Sequence, residues 1–397
     1  MNLAFGENHL KIYEDGASLW PVGYIDCVTI NPDGKEAPMR GEHFIGADTH
    51  CKETELAVVT ATGRLSRRFR CPTTIPALAE VLKTVPRPRR LTFEEGPMAD
   101  WLYRNLLPFV DGITVCEPRR NHLIAKGGDH DDPVDAEKLA QLFRGGYVKA
   151  VHHPESFARS VFKHHVGLYH DRVGHRVEEA NRIMAFLRHH GVFVQESTFA
   201  DPQDRPALLA RLPKNRVVRS DLALLWSGYD VAAEQVARMR RELIRLARRE
   251  PQIRRFAKVP GVKWIRASTF FVCIDTPWRF KSKSALWRYL GIGLVRWHSG
   301  NGPERLRVPP PVEVNRILKA MILGAAESAI RTQDNPFADQ HRRWIKQGLS
   351  PRISRRNVAR SQAAVMWGMW KNGSAYRPEQ VGVAMEACTV TTPGKDR

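Results

Sequence analysis

HFIGADTHCKETELAVVTATGRLSRRFRC, residues 43–71, decides the fold. Three short runs follow one another in it, HFIGADT, ELAVVTATG and RLSRRFRC, and the ATG at 61–63 supplies the turn between the second and third. Short β-prone runs punctuated by turn residues read as neighbouring strands, so the stretch predicts an antiparallel meander. Asp48 follows FIGA in the first of these strands. A carboxylate in a central strand is expensive to bury without a cation or donors. Its position therefore marks a candidate site.

Downstream, helices and strands alternate. TIPALAEVLKTV predicts a helix, with Thr73 or Thr74 as cap and Pro76 in its first turn. RLTFEEG reads as a strand carrying Glu94, and PMADWLYRNLLPFV as a helix with Pro97 near its first position. GITVCEP is a strand, RRNHLIA a short helix, and PVDAEKLAQLFRGG a longer helix ending at Gly145. The order βββαβαβα matches a ribonuclease-H-like layout, in which parallel strands extend a meander and helices pack against the sheet. This domain is expected over residues 43–154, after an extension (1–42) to which no role is assigned.

Residues 155–255 are expected to form a helical arm. Within it, Leu222, Leu225, Tyr229, Ala232, Val236, Met239, Leu243 and Leu246 step alternately by three and four. That seam predicts a coiled coil over 217–250 and a homo-oligomer, dimer or tetramer, built through it. The alternative is a helix packed on its own domain. A C-terminal domain is expected over 256–376. In it RFKSKSALWRYLGIG reads as a basic amphipathic helix closed by glycine, and EVNRILKAMILGAAESAI as a long apolar one. Between them, LVRWHSGNGPERLRVPPP reads as a polar loop. The stretch 341–373 is basic and helical, and residues 377–397 are expected to fray. The fold class is thus α/β followed by all-α.

The 397 residues carry 62 Lys and Arg against 42 Asp and Glu, a net charge of +20 that suits a nucleic-acid partner. The opening residues lack a basic segment followed by an apolar one, so no secretory signal is expected, and with no apolar run of about 18 residues no transmembrane helix is expected either. The six scattered cysteines include no CxxC pair, which fits a reducing cytoplasm rather than a disulfide framework or a zinc ribbon. The expected location is cytoplasmic, associated with the nucleoid, with no membrane partner.

Against that basic background Asp48, Glu94, Asp132 and Asp135 form a candidate metal site. Carboxylates suit Mg2+, which prefers oxygen ligands; two such ions, or Mn2+ in their place, would flank a phosphodiester. Asp132 and Asp135, three apart, share one face of a helix. DPVD is also a good helix cap, with Pro133 at its first position. Glu95 competes with Glu94, and Asp129 and Asp131 compete with Asp132. Arg279, Lys281, Lys283 and Arg288, interleaved with Trp278 and Trp287, make a candidate nucleic-acid face, and RISRRNVAR at 352–360 reads similarly.

The chain resembles the DEDD transposases of the insertion sequence 110 family from about residue 43 to 376. The resemblance rests on Asp48, on Glu94 in FEEGPMADWLYR, and on the run Asp132, Asp135, Ala136, Leu139, Ala140. It continues through Pro260-Gly261-Val262, Arg279-Phe280 with Ser282, YLGIGL, and Ser299-Gly300. Val314, Asn315, Leu318 and Lys319 stand where the family has Gly-Asn-x-x-Leu-Arg, and Asp131 replaces the usual Lys-Thr/Ser. The resemblance implies a RuvC-like first domain and a C-terminal transposase domain in which Ser299 attacks DNA. Arg296, Arg305 and Arg307 flank that serine. It also implies a structured guide RNA that pairs with donor and target DNA. Two other readings stand beside it: a metal-dependent structure-specific endonuclease without a serine intermediate, and a non-catalytic basic nucleic-acid-binding protein.

Overall fold

β1 (His43–Thr49), β2 (Glu53–Thr60) and β3 (Leu65–Pro72) pair antiparallel, as the opening stretch predicts. The computed structural model describes residues 41–118, 132–154, 156–297, 305–307 and 314–381. These fall into two compact units, one ending at Ser160 and the other beginning at Val161.

In the first unit, α1 (Ile75–Lys83) is capped by the Thr74 hydroxyl, which accepts from the Ala77 N–H. β4 (Arg89–Glu94) then pairs parallel to β1, and β5 (Gly112–Cys116) parallel to β4. A two-residue β6 (Ala150–Val151) closes the order β3-β2-β1-β4-β5-β6 and was not foreseen. α2 (Ala99–Leu106) starts after Pro97 rather than on it, because Met98 occupies the cap position. The helix expected at RRNHLIA, 119–125, lies outside the described residues.

Successive side chains of a strand point to opposite faces. One face of the sheet, with Ile45, Ala47, Leu91, Phe93 and Val115, packs on Leu78, Leu82, Leu102 and Leu106. The other carries Phe44, Gly46, Ala57 and Val59 and is covered by α3 (Asp132–Arg144), whose Ala136 and Ala140 are fully buried. Burial on both faces is why FIGA reads as an unbroken apolar run rather than an alternating one. β3, at the edge, instead exposes Arg67, Arg68 and Arg70.

α4 (Phe157–His189), α5 (Arg205–Leu209) and α6 (Arg216–Ala247) follow. Leu222, Trp226 and Tyr229 of α6 pack against Ala180, Ile183 and Leu187 of α4. Leu243 joins a second core with Phe162, Val166 and Tyr169. The seam expected to face a second copy is therefore filled by the chain itself. A period of three and four residues records only that a helix has a partner, and an antiparallel neighbour in the same chain satisfies it as well as a second copy.

That second core extends through α7 (Pro251–Phe256), α8 (Trp264–Ile274), α9 (Lys283–Tyr289), α10 (Arg316–Thr332), α11 (Pro336–Lys346) and α12 (Pro351–Lys371). Phe256, Phe270, Phe271, Ile322, Phe337 and Met366 lie at its centre. The base of the arm and the C-terminal helices thus share one core. The stretch expected as a polar loop contains an antiparallel ladder of β7 (Val295–Trp297) and β8 (Arg305–Arg307). Among the described residues no helix is long and apolar enough to cross a membrane.

Candidate active site

Gly46 positions the acidic end of the first unit. A Cβ there would lie 2.2 Å from the Ala136 carbonyl oxygen and 2.5 Å from the Ala140 nitrogen. Only a residue without a side chain lets α3 come this close to β1. The Phe44 and Phe143 rings meet edge-on, 5.7 Å apart. Moving along β1 from Phe44 through Gly46 toward Asp48 therefore means moving back along α3, from Phe143 through Ala140 and Ala136 toward its first turn. Asp48, two residues beyond Gly46, shares the face that α3 covers.

Ala47 pairs with Phe93, so Asp48 and Glu94 stand one residue beyond the last registered pair of β1 and β4. Glu94 pairs with Cys116 on its other side. The register thus brings Asp48 and Glu94 side by side on one face, near the first turn of α3. Asp135 lies in that turn and pairs with Lys138 at 3.1 Å. Asp132 opens the helix, but its side chain is outside those described, as are Asp129, Asp131 and Ser299. Among the described residues no three His, Cys, Asp or Glu side chains close on a common point.

Glu95 behaves differently from its neighbour. Its carboxylate contacts His153 Nε2 at 2.6 Å, and the buried His153 ring also lies 3.7 Å from Asp100. Burial alone would push the Asp100 carboxyl up. Donation from the Ser160 hydroxyl and the nearby Arg104 guanidinium overcome it and hold the group below its ordinary value. Glu95 is thereby engaged with α2 and the segment leading to α4.

Two further side chains beside Asp48 were missed in the sequence. His50 Nε2 lies 3.1 Å from Asp48 Oδ2. Glu55 is the direct cross-strand partner of Asp48 on β2, and Arg70 Nε stands 3.4 Å from its carboxylate. Like charges placed directly opposite destabilise a ladder, and Arg70 offsets part of that repulsion. The signal for His50 was its i, i+2 spacing from Asp48. Glu55 needed the strand register.

In the second unit the expected basic face divides. Arg279 turns inward, donating to the Cys273 carbonyl at 3.0 Å and lying 4.4 Å over the Tyr289 ring. Trp287 is part-buried and donates to the Arg360 carbonyl. Trp278 is 62% exposed, with Lys371 over its ring, while Lys281 and Arg288 are exposed and Lys283 half-buried. Arg296, Arg305 and Arg307 belong to the β7–β8 ladder, with side chains outside those described.

The other resemblance residues have structural work. Gly261 has φ +77°, and a Cβ on it would lie 2.1 Å from the Ala325 carbonyl oxygen. Arg266 donates to the Gly261 carbonyl and Gln362 to that of Pro260. Ser282 caps α9 and Asn315 caps α10.

A mixed α/β sheet with adjacent strand-end carboxylates, followed by a mostly helical region, is the class these features define. The chain is 25% identical over 280 residues to a protein of Sinorhizobium fredii named "Putative transposase y4pF/y4sB". The similarity spans 69% of this chain and 70% of that protein. No family model matches the chain.

Proposed function

We propose that the chain is a DNA transposase or site-specific recombinase of a mobile element. The observation that carries the reading is the juxtaposition of Asp48 and Glu94 on the face covered by the acidic first turn of α3. Similarity to a transposase and the net charge of +20 support the same substrate. Hard oxygen donors suit Mg2+, and Asp48, Glu94, Asp132 and Asp135 would hold it. The bound ion would stabilise charge developing on the phosphate. Ser299 Oγ would form a bond to phosphorus as the bond to the leaving sugar oxygen breaks, with the hydroxyl proton passing to a base. The ester conserves the phosphodiester's energy, so rejoining needs no ATP. A structured RNA would choose the sequence by base pairing, and the protein would read backbone and shape.

A denaturing gel with labelled element-end DNA, Mg2+ and guide RNA tests this. The expected result is a covalent protein–DNA band that disappears in Ser299→Ala and in Asp48→Ala. Cleavage that survives Ser299→Ala without any such band, but not Asp48→Ala, would replace the recombinase with a metal-dependent nuclease. Binding without cleavage in Mg2+ or Mn2+ would leave a non-catalytic nucleic-acid-binding protein.

A further inference from the structure

α10, α11 and α12 pack on one another as three helices, and a tight turn joins the last two. Gly348 has φ +84° and ends α11, with the Leu349 N–H reaching back to the Trp344 carbonyl. This is the glycine-terminated helix end that satisfies the final carbonyls. Two residues later the Ser350 hydroxyl accepts from the Ile353 N–H and starts α12, with Pro351 in its first turn. His341 Nδ1 and the buried Ser354 Oγ then join the helices at 2.7 Å. A helix, a four-residue turn (347–350) containing glycine and a second helix in contact with a third is the element order of a helix-turn-helix.

The charge on this joint is one-sided. No Asp or Glu occurs between Asp339 and Glu379, whereas Arg342, Arg343, Lys346, Arg352, Arg355 and Arg356 cluster around the turn. Two of them have acidic partners: Glu327 of α10 holds Arg355 at 3.1 Å, and Asp339 pairs with Arg342. Burial, and the like charges of Arg352 and Arg355, push the Arg356 guanidinium below its ordinary value. Arg352 and Arg355 thus set like charges beside Arg356, and an incoming anion would offset that repulsion. Ile353, amid these cations, is 51% exposed.

We propose that the first turns of α12, with Arg352, Ile353 and Arg356 at the front, enter the major groove of duplex DNA while the end of α11 lies on the phosphate backbone. Cations there neutralise phosphates, and an exposed apolar side chain beside them suits a thymine methyl group. The choice of duplex DNA over RNA follows from shape. The major groove of B-form DNA admits a helix, and that of A-form RNA is too deep and narrow for side chains to read. This surface deepens the transposase reading and rests on it for the partner's role in the cell.

The test is fluorescence anisotropy of the full chain with a short mixed-sequence DNA duplex and an RNA duplex of equal length, in EDTA. Arg352→Ala/Arg356→Ala is expected to weaken DNA binding about tenfold or more and to flatten the salt dependence by about one per arginine removed. RNA-duplex binding should change less than about threefold. Ile353→Asp, at an exposed position, is expected to reproduce the DNA loss with the parent's melting temperature. Unchanged DNA binding in both variants overturns the proposal, and so does an equal loss on the RNA duplex. Because EDTA removes metal-dependent chemistry, the outcome is separable from the function above. DNA binding that ignores these residues while Asp48→Ala still abolishes cleavage sinks this inference alone. Binding that depends on them in a chain that never cleaves sinks the transposase reading alone.

Discussion

Two glycines hold two helices, by different means. Gly46 in β1 lets α3 close on the sheet through Ala136 and Ala140. Gly261, in the turn before α8, lets α10 close through Ala325 and Ala329. In both the partner is a pair of alanines four apart, and in both a Cβ would strike a carbonyl oxygen. The backbones differ. Gly46 lies in a paired strand whose extended conformation any residue adopts, so space alone demands the glycine. Gly261 has φ +77°, so space and conformation both demand it. Each seam also has an amide clamp. Gln141 donates to the Gly63 carbonyl at 2.7 Å from a half-exposed position, and Gln362 donates to the Pro260 carbonyl at 2.8 Å from a fully buried one. An identical substitution at the two glycines should therefore separate crowding from conformational strain.

The largest effect is expected for Gly261→Ala. Forced overpacking costs about 1–3 kcal/mol and a left-handed residue about 1–2 kcal/mol more. Thermal melting should show the second unit destabilised by the sum. Gly46→Ala should lose only the overpacking part, about 1–3 kcal/mol. It should also lower the Mg2+-dependent cleavage proposed above under conditions where the variant remains folded, because α3 carries Asp132 and Asp135. Equal losses at the two glycines in chemical denaturation would mean that the positive φ costs nothing, and the contrast would fail. Gln362→Leu should follow, at about 1–2 kcal/mol, since it strips a buried carbonyl of its donor. Among the described residues the Gln362 oxygen has no hydrogen-bond partner, and its removal offsets part of that cost. Gln141→Ala should come last, at about 0.5–1 kcal/mol, with solvent replacing the lost donor. A Gln141 variant less stable than the Gln362 one in urea titrations would reverse the ranking of the clamps.

Most of the first unit was legible because its signals are local. Strand runs, the ATG turn, and the Thr74 cap with Pro76 are set by residues within a few positions of one another. The adjacency of Asp48 and Glu94 was partly legible, since the expected element order puts β1 beside β4. What sequence could not supply was register. Glu55 becomes the neighbour of Asp48 only once β1 and β2 are aligned residue by residue, and the engagement of Glu95 by His153 joins segments far apart in the chain. The seam of α6 illustrates the complementary limit. Its period was read correctly, but a period does not name the partner, and α4 fills that place. Arg279 shows the same for composition: its charge suggested an outward cation, while Tyr289 and the Cys273 carbonyl draw it inward.

The close seat of α3 on Gly46 has a consequence in time. β1, β2 and β3 are contiguous, so the meander can pair while a ribosome is still extending the chain. β4 returns from residue 89, and α3 begins only at Asp132. Contacts between distant segments form late, and N-terminal parts of a chain fold first during synthesis. A nascent or truncated chain ending before α3 would carry Asp48 and Glu94 without the helix that completes their surroundings. The reactivity toward DNA proposed for this site would then switch on only after most of the first unit has left the ribosome, and a product terminated before α3 would lack it.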